Sequence, residues 1–216
     1  MMRCALMTMV ACLLSAALIG ADRADEELVP LFNGKDFAGW QGHVHGWTFE
    51  PDGTLAWKQE AGDIWTEKQY GDFVLDFDYK VEKGSNSGVF IRCGNPRDPV
   101  QTALEIQVYD SYGKGRGLHH SGAVYDALAP SRNVEKPVGE WNHMTITVKG
   151  PVIQVTLNGE QVIDMNVDQW KVAGKNPDGA DNKFRKALKD FPRKGHIQIQ
   201  DHHTPVWYRN VRIKEL

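Results

Sequence analysis

Three stretches of the sequence could set reactive side chains next to one another. In TALEIQVYD (102–110), Glu105, Gln107 and Tyr109 alternate with Ile106 and Val108. In GHIQIQDHH (195–203), His196, Gln198, Gln200 and His202 alternate with Ile197 and Ile199. In SGVFIRCG (87–94), Phe90 and Arg92 fall on one side and Val89, Ile91 and Cys93 on the other. Successive side chains of a strand point to opposite faces, so each stretch has an aliphatic face and a face mixing amide, charge and ring. Such a face is either a solvated outer surface or the floor of a cleft. A plain solvated face is richer in Lys, Thr, Ser and Glu. Planar polar groups beside aromatic rings suit sugar binding, and the cleft floor is the reading adopted.

The chemistry of that floor is limited by its carboxylates. Glycoside hydrolysis normally uses two carboxyl groups flanking the scissile bond. Only Glu105 occupies these polar faces; Asp110, Asp126 and Asp201 sit at strand ends or in loops, where each is equally a turn former. One base among neutral and cationic donors fits proton abstraction beside a carbonyl, or binding alone. Other motifs are excluded. The segment SYGKGRGLHHSGAVYD (111–126) is glycine-rich but lacks phosphate-loop spacing, and reads as a loop over the cleft that carries His119, His120 and Tyr125. No Gly-x-Ser-x-Gly elbow and no cysteine-based zinc spacing occurs. In the pairs His119-His120 and His202-His203, adjacent strand residues point apart, so at most one of each pair could serve a single ion.

Strands must carry these residues. FVLDFDYKV (73–81) alternates strictly, with Phe73, Leu75, Phe77, Tyr79 and Val81 on one face. Met144, Ile146 and Val148 form a second apolar row and Ile153, Val155 and Leu157 a third, with turns expected at Lys149-Gly150-Pro151 and Asn158-Gly159. Pro51-Asp52-Gly53 signals a hairpin over 47–58. One helix is expected over 181–192, from the spacing of Phe184, Ala187, Leu188 and Phe191. Many short strands with one short helix predict an all-β fold: two antiparallel sheets packed as a concanavalin A-like jelly-roll sandwich.

From Leu28 onward no linker, repeat or low-complexity tract appears, so residues 28–216 read as a single domain. Before it, residues 1–21 have the layout of a cleaved signal peptide: one Arg, an apolar run, then small residues. The run is also close to bilayer-spanning length, so an uncleaved anchor helix is the competing reading. Export to the periplasm or beyond would leave Cys93 as the one cysteine, and stability would rest on the core rather than on an internal disulfide. A formal net charge of −3, with 25 Lys and Arg against 28 Asp and Glu and no long basic run, argues against a nucleic-acid partner.

FNGKDFAGW (32–40), NSGVFIR (86–92), LEIQVYD (104–110), SGAVYDALAPSRNVEKPVGEWN (121–142), LNGEQV (157–162) and GHIQIQDHHTPVWYRNVRI (195–213) occur in this order. Together they resemble the 3-keto-disaccharide hydrolase domain family of bacterial exported proteins, from about Leu31 to the C-terminus. The resemblance implies an oligosaccharide or glycoside substrate oxidised at C3, a divalent metal, and a cleft around Arg92, Glu105, Gln107, Tyr125, Gln200 and His202. A 3-keto group acidifies the C2 proton, so a base removes it and the enolate expels the C1 substituent. On that expectation Glu105 is base or metal ligand, His202 ligand or general acid, and Arg92 the ketone or enolate anchor. Gln107 and Gln200 would hold hydroxyls, while Tyr125 would stack or donate a proton. A non-catalytic lectin-like module would use the same amides and rings, and an interaction domain is a third reading; fold alone does not choose among them.

Overall fold

A computed structural model describes residues 27–59 and 61–216; the expected signal segment 1–21 lies outside them. The described chain forms thirteen strands. The first five are β1 (Val29–Pro30), β2 (Trp40–Gly42), β3 (Trp47–Phe49), β4 (Leu55–Trp57) and β5 (Ile64–Thr66). Then come β6 (Phe73–Val81), β7 (Asn86–Cys93), β8 (Leu104–Tyr109) and β9 (Asn142–Lys149). The last four are β10 (Val152–Leu157), β11 (Glu160–Asn166), β12 (His196–Ile199) and β13 (Val206–Glu215). They make an eight-stranded sheet in the order β11-β10-β9-β6-β13-β4-β3, with β1 beside β13, and a five-stranded sheet in the order β2-β5-β12-β7-β8. The chain crosses repeatedly between the sheets, as in a jelly roll.

The alternation explains the packing. Phe73, Leu75, Phe77, Tyr79 and Val81 are all buried, as are Met144, Ile146 and Val148 of β9 and Ile153, Val155 and Leu157 of β10. From the facing sheet come Ile64, Val89, Ile91, Ile106, Val108, Ile197 and Ile199, joined to them in one core. Each such side chain contributes roughly 1.5–3 kcal/mol on burial. Cys93 is a buried free thiol, so among the described residues this packing acts without a disulfide. The hairpins form at 47–57 and on either side of Gly150 and Asn158-Gly159 as expected, and Gly150, Asn158 and Gly159 adopt the positive φ these turns require.

Two expectations are corrected. The alternation of β7 breaks at Arg92, whose φ of 52° is left-handed. The register against β12 slips there: His196 pairs with Cys93, but Gln198 pairs with Phe90. Cys93 therefore packs with Phe90 and Ala103, away from Val89 and Ile91. Gly195 allows the bulge, since a β-carbon there would lie 2.4 Å from the Arg92 carbonyl carbon.

The expected helix over 181–192 is also absent; only a single 3-10 turn, Leu188–Asp190, forms. Phe184, Ala187, Leu188 and Phe191 are buried all the same. Side chains from outside the segment hold its backbone instead: Asp126 Oδ2 accepts from Lys183 N at 2.6 Å and Gln101 Oε1 from Arg185 N at 2.8 Å. Among the described residues no helix is long and apolar enough to cross a membrane.

Candidate active site

The outer face of the five-stranded sheet carries one continuous row of side chains. Gln41 pairs with Trp65, Trp65 with Gln198, Gln198 with Phe90, and Phe90 with Glu105. Beyond β8 the segment 122–125 runs along the strand as a further edge: Ile106 bridges Val124, and Tyr125 N donates to Glu105 O at 2.9 Å. Tyr125 thereby extends the row next to Glu105. A second row lies beside it, with Gln200 N bonded to Gly88 O and Gly88 paired with Gln107. Gly88 opens the space for the acid, because a β-carbon there would come within 2.4 Å of Glu105 Oε1.

Glu105 is 5% exposed, and its carboxyl is pushed up to about 7. Burial is the main cause, and the nearby Asp63 charge adds to it; the Lys183 ammonium and the Gln200 amide act in the opposite direction. Lys183 Nζ stands 3.7 Å from Glu105 Oε2 and 3.7 Å from the centre of the Tyr125 ring. Burial lowers the lysine's own affinity for its proton, while Glu105 and Asp126 sustain it. A carboxyl balanced near neutrality beside a cation suits proton transfer at ordinary pH.

Lys183 arrives from the excursion between β11 and β12, and its backbone is pinned on both sides. Its N–H goes to Asp126, and its carbonyl accepts from Gln101 Nε2 at 3.1 Å. Asp126 has a φ of 62°, an uncommon conformation for a residue with a side chain. Its other oxygen lies 3.1 Å from His119 Nε2, and the His119 ring stacks on Tyr125 with centroids 4.4 Å apart. Asp126 thus ties the 119–126 loop to the excursion that delivers Lys183.

The remaining polar groups divide into occupied and free. Asp63, just before β5, accepts from Gln198 Nε2 at 2.6 Å and from Asp201 N at 2.8 Å, and burial raises its pKa. Gln107 donates to Asn86 Oδ1 at 2.9 Å, but its own Oε1 and that of Gln200 are buried without a partner. Two orphaned acceptors beside Glu105 can each take a hydroxyl donor. A separate hollow of about 290 Å3, bounded by Phe32, Phe49, Leu55, Tyr208 and Arg212 among others, includes none of these residues.

Of the residues the sequence singled out, Glu105, Gln107, Tyr125 and Gln200 lie together. Arg92 does not join them. Its Nε donates to Gly71 O at 2.8 Å, one terminal nitrogen to Gly150 O at 2.7 Å and the other to Asp72 Oδ1 at 2.6 Å, so it clamps the end of β6 and the β9–β10 turn. The bulge that turns its backbone explains the difference. His202 is exposed on the loop after β12 and makes no hydrogen bond to Glu105. Sequence pattern does not mark Lys183, Asp126 or Asp63: Lys183 lies in the stretch that spacing reads as helical, Asp126 reads as a turn former, and Asp63 precedes a strand of three residues. The residues present do not fit a divalent cation at Glu105. Among the described residues no three His, Cys, Asp or Glu side chains gather into a metal-holding group, and an ammonium already faces this carboxylate.

The two-sheet jelly roll thus carries a buried acid on an amide-rich outer face. Residues 27–214 match the 3-keto-alpha-glucoside-1,2-lyase-like domain family, and the chain belongs to that family. The chain is 30% identical to the 3-keto-disaccharide hydrolase of Bacteroides thetaiotaomicron, over 87% of this chain and 78% of that protein. It is 36% identical to a candidate glycosyl hydrolase of Parabacteroides distasonis of known crystal structure, with a TM-score of 0.80 over 88% of this chain and all of the other. The carbohydrate-binding module CBM66 of Bacillus subtilis shares the fold alone, at 15% identity and a TM-score of 0.50 over 82% of this chain and 96% of the module. The family places the protein among carbohydrate hydrolases.

Proposed function

We propose that this protein cleaves glycosides already oxidised to the ketone at C3, with Glu105 as the base that removes the C2 proton. The observation that carries this reading is the buried Glu105 carboxyl, pushed up to about 7, on a face of amides and rings and beside the Lys183 ammonium. Ionised Glu105 takes the proton from C2, and the bonding pair forms C2=C3 with charge on the ketone oxygen. That charge returns to re-form C3=O, the C1–O bond breaks and C1=C2 forms. The departing oxygen takes a proton from water, hydroxide adds at C1, and Glu105 gives its proton back to C2, so the sum is hydrolysis. If the product leaves before water adds, the outcome is a lyase reaction with the same first step. Gln107 and Gln200 would accept hydroxyl donors through their free oxygens. Asp63, with both oxygens occupied, would act only by raising the Glu105 pKa.

The direct comparison is a 3-keto-glucoside against its unoxidised parent. Release of the aglycone from the keto sugar alone is expected, because only the ketone acidifies C2. Equal cleavage of both would show that the C2 proton plays no part, and binding of the keto sugar without release would make the domain a lectin. An exported location is part of the same proposal, and sequencing the N-terminus of the mature protein from the periplasm or medium tests it.

A further inference from the structure

We propose that the Lys183 ammonium is the group that faces the ketone oxygen and takes up the enolate charge, the task a divalent cation would otherwise perform. This rests on the C2 proton-abstraction reading above. The two reacting positions are adjacent, C2–H and C3=O, so the base and the group serving the oxygen must themselves be neighbours. Lys183 is the cation beside the base, 3.7 Å from Glu105 Oε2.

Three further observations distinguish it from a surface lysine. Its backbone is fixed on both sides, by Asp126 at the N–H and by Gln101 at the carbonyl. Its side chain crosses the Tyr125 ring, whose face favours a cation and so helps keep the charge in a partly buried place. Among the described residues no three His, Cys, Asp or Glu side chains gather at the carboxylate it faces to make a metal site. The Lys183 N–H bonds gain strength as negative charge builds on the oxygen, which is the condition for lowering a barrier rather than merely binding substrate. The lysine neither gains nor loses a bond in the cycle.

The experiment measures aglycone release from a 3-keto-glucoside in excess EDTA, by the wild type, by Lys183→Met and by Lys183→Cys before and after alkylation with bromoethylamine. Alkylation rebuilds an ammonium of nearly lysine length, and the buried Cys93 thiol is controlled by alkylating the wild type. The wild type should be unaffected by EDTA. Lys183→Met should lose about 100- to 1000-fold in kcat, the usual cost of removing one oxyanion donor. The alkylated Lys183→Cys should regain most of the lost rate, which a merely structural role would not produce. Retention of wild-type kcat by Lys183→Met overturns the proposal, as does EDTA-abolished wild-type activity that added metal restores. A wild type that releases nothing, with or without metal, contradicts the C2-abstraction reading itself and the lysine's role with it.

Discussion

Gly88 and Glu105 lie on adjacent strands in contact so close that a β-carbon on the glycine would stand 2.4 Å from Glu105 Oε1. The absent side chain defines where the acid sits. Gly88→Ala should therefore fold, because a strand interior accepts Ala at least as well as the Gly it replaces, yet push the carboxyl off its position. An angstrom of misplacement costs about 100-fold in a positioned reaction, so kcat should fall by about that factor while circular dichroism stays unchanged. Unaltered turnover would show that the Glu105 position is not critical.

The raised pKa of Glu105 links the site to stability. A carboxyl at about 7 when folded and about 4.5 when unfolded binds its proton more tightly in the native state. Its contribution is therefore fully present below about pH 4.5 and is lost as pH rises through about 7. At about 1.4 kcal/mol per pKa unit, Glu105→Gln should gain on the order of 3 kcal/mol over the wild type at pH 8, and little at pH 4.5. Melting temperatures of both proteins across this window check it; equal differences at both ends would contradict it.

Asp126 is placed to act through Lys183 and His119 rather than on substrate. Asp126→Gly relieves the positive φ but removes both carboxylate contacts. Kinetics should show kcat lowered by about 10-fold or more, with a melting temperature close to wild type because backbone relief offsets the lost bonds. Asp126→Asn, which tolerates the same backbone, should recover part of the rate.

Arg92 should prove structural. With every guanidinium nitrogen engaged by Gly71, Gly150 or Asp72, Arg92→Met leaves two carbonyls without their side-chain donor and the Asp72 carboxylate with only the Gly150 N–H. A loss of about 3 kcal/mol is expected in denaturant unfolding, with KM for the keto sugar unchanged in the folded fraction. A raised KM without loss of stability would restore Arg92 to the site.

Strict alternation made the fold legible. The buried rows of β6, β9 and β10 follow their period of two without interruption, and the turns between them carry their own glycines. The floor was legible for the same reason in β8, where Glu105 and Gln107 face outward together, and in Gln200. Alternation fails where a bulge adds a residue, and Arg92 marks that place by a left-handed φ no side-chain pattern announces. Between 181 and 192 the apolar residues are buried as a helix would bury them, but Asp126 and Gln101 capture the backbone. Those partners lie far off in sequence, so the spacing of the segment itself could not disclose that Lys183 reaches Glu105.

The central claim is that Glu105 removes the C2 proton, and deuterium reports it directly. In single turnover, a 3-keto-glucoside deuterated at C2 should release its aglycone measurably more slowly than the protiated sugar with the wild type, whether the outcome is hydrolysis or elimination, and Glu105→Gln should release none above background. Equal single-turnover rates for the two sugars, or wild-type release from Glu105→Gln, would contradict the account.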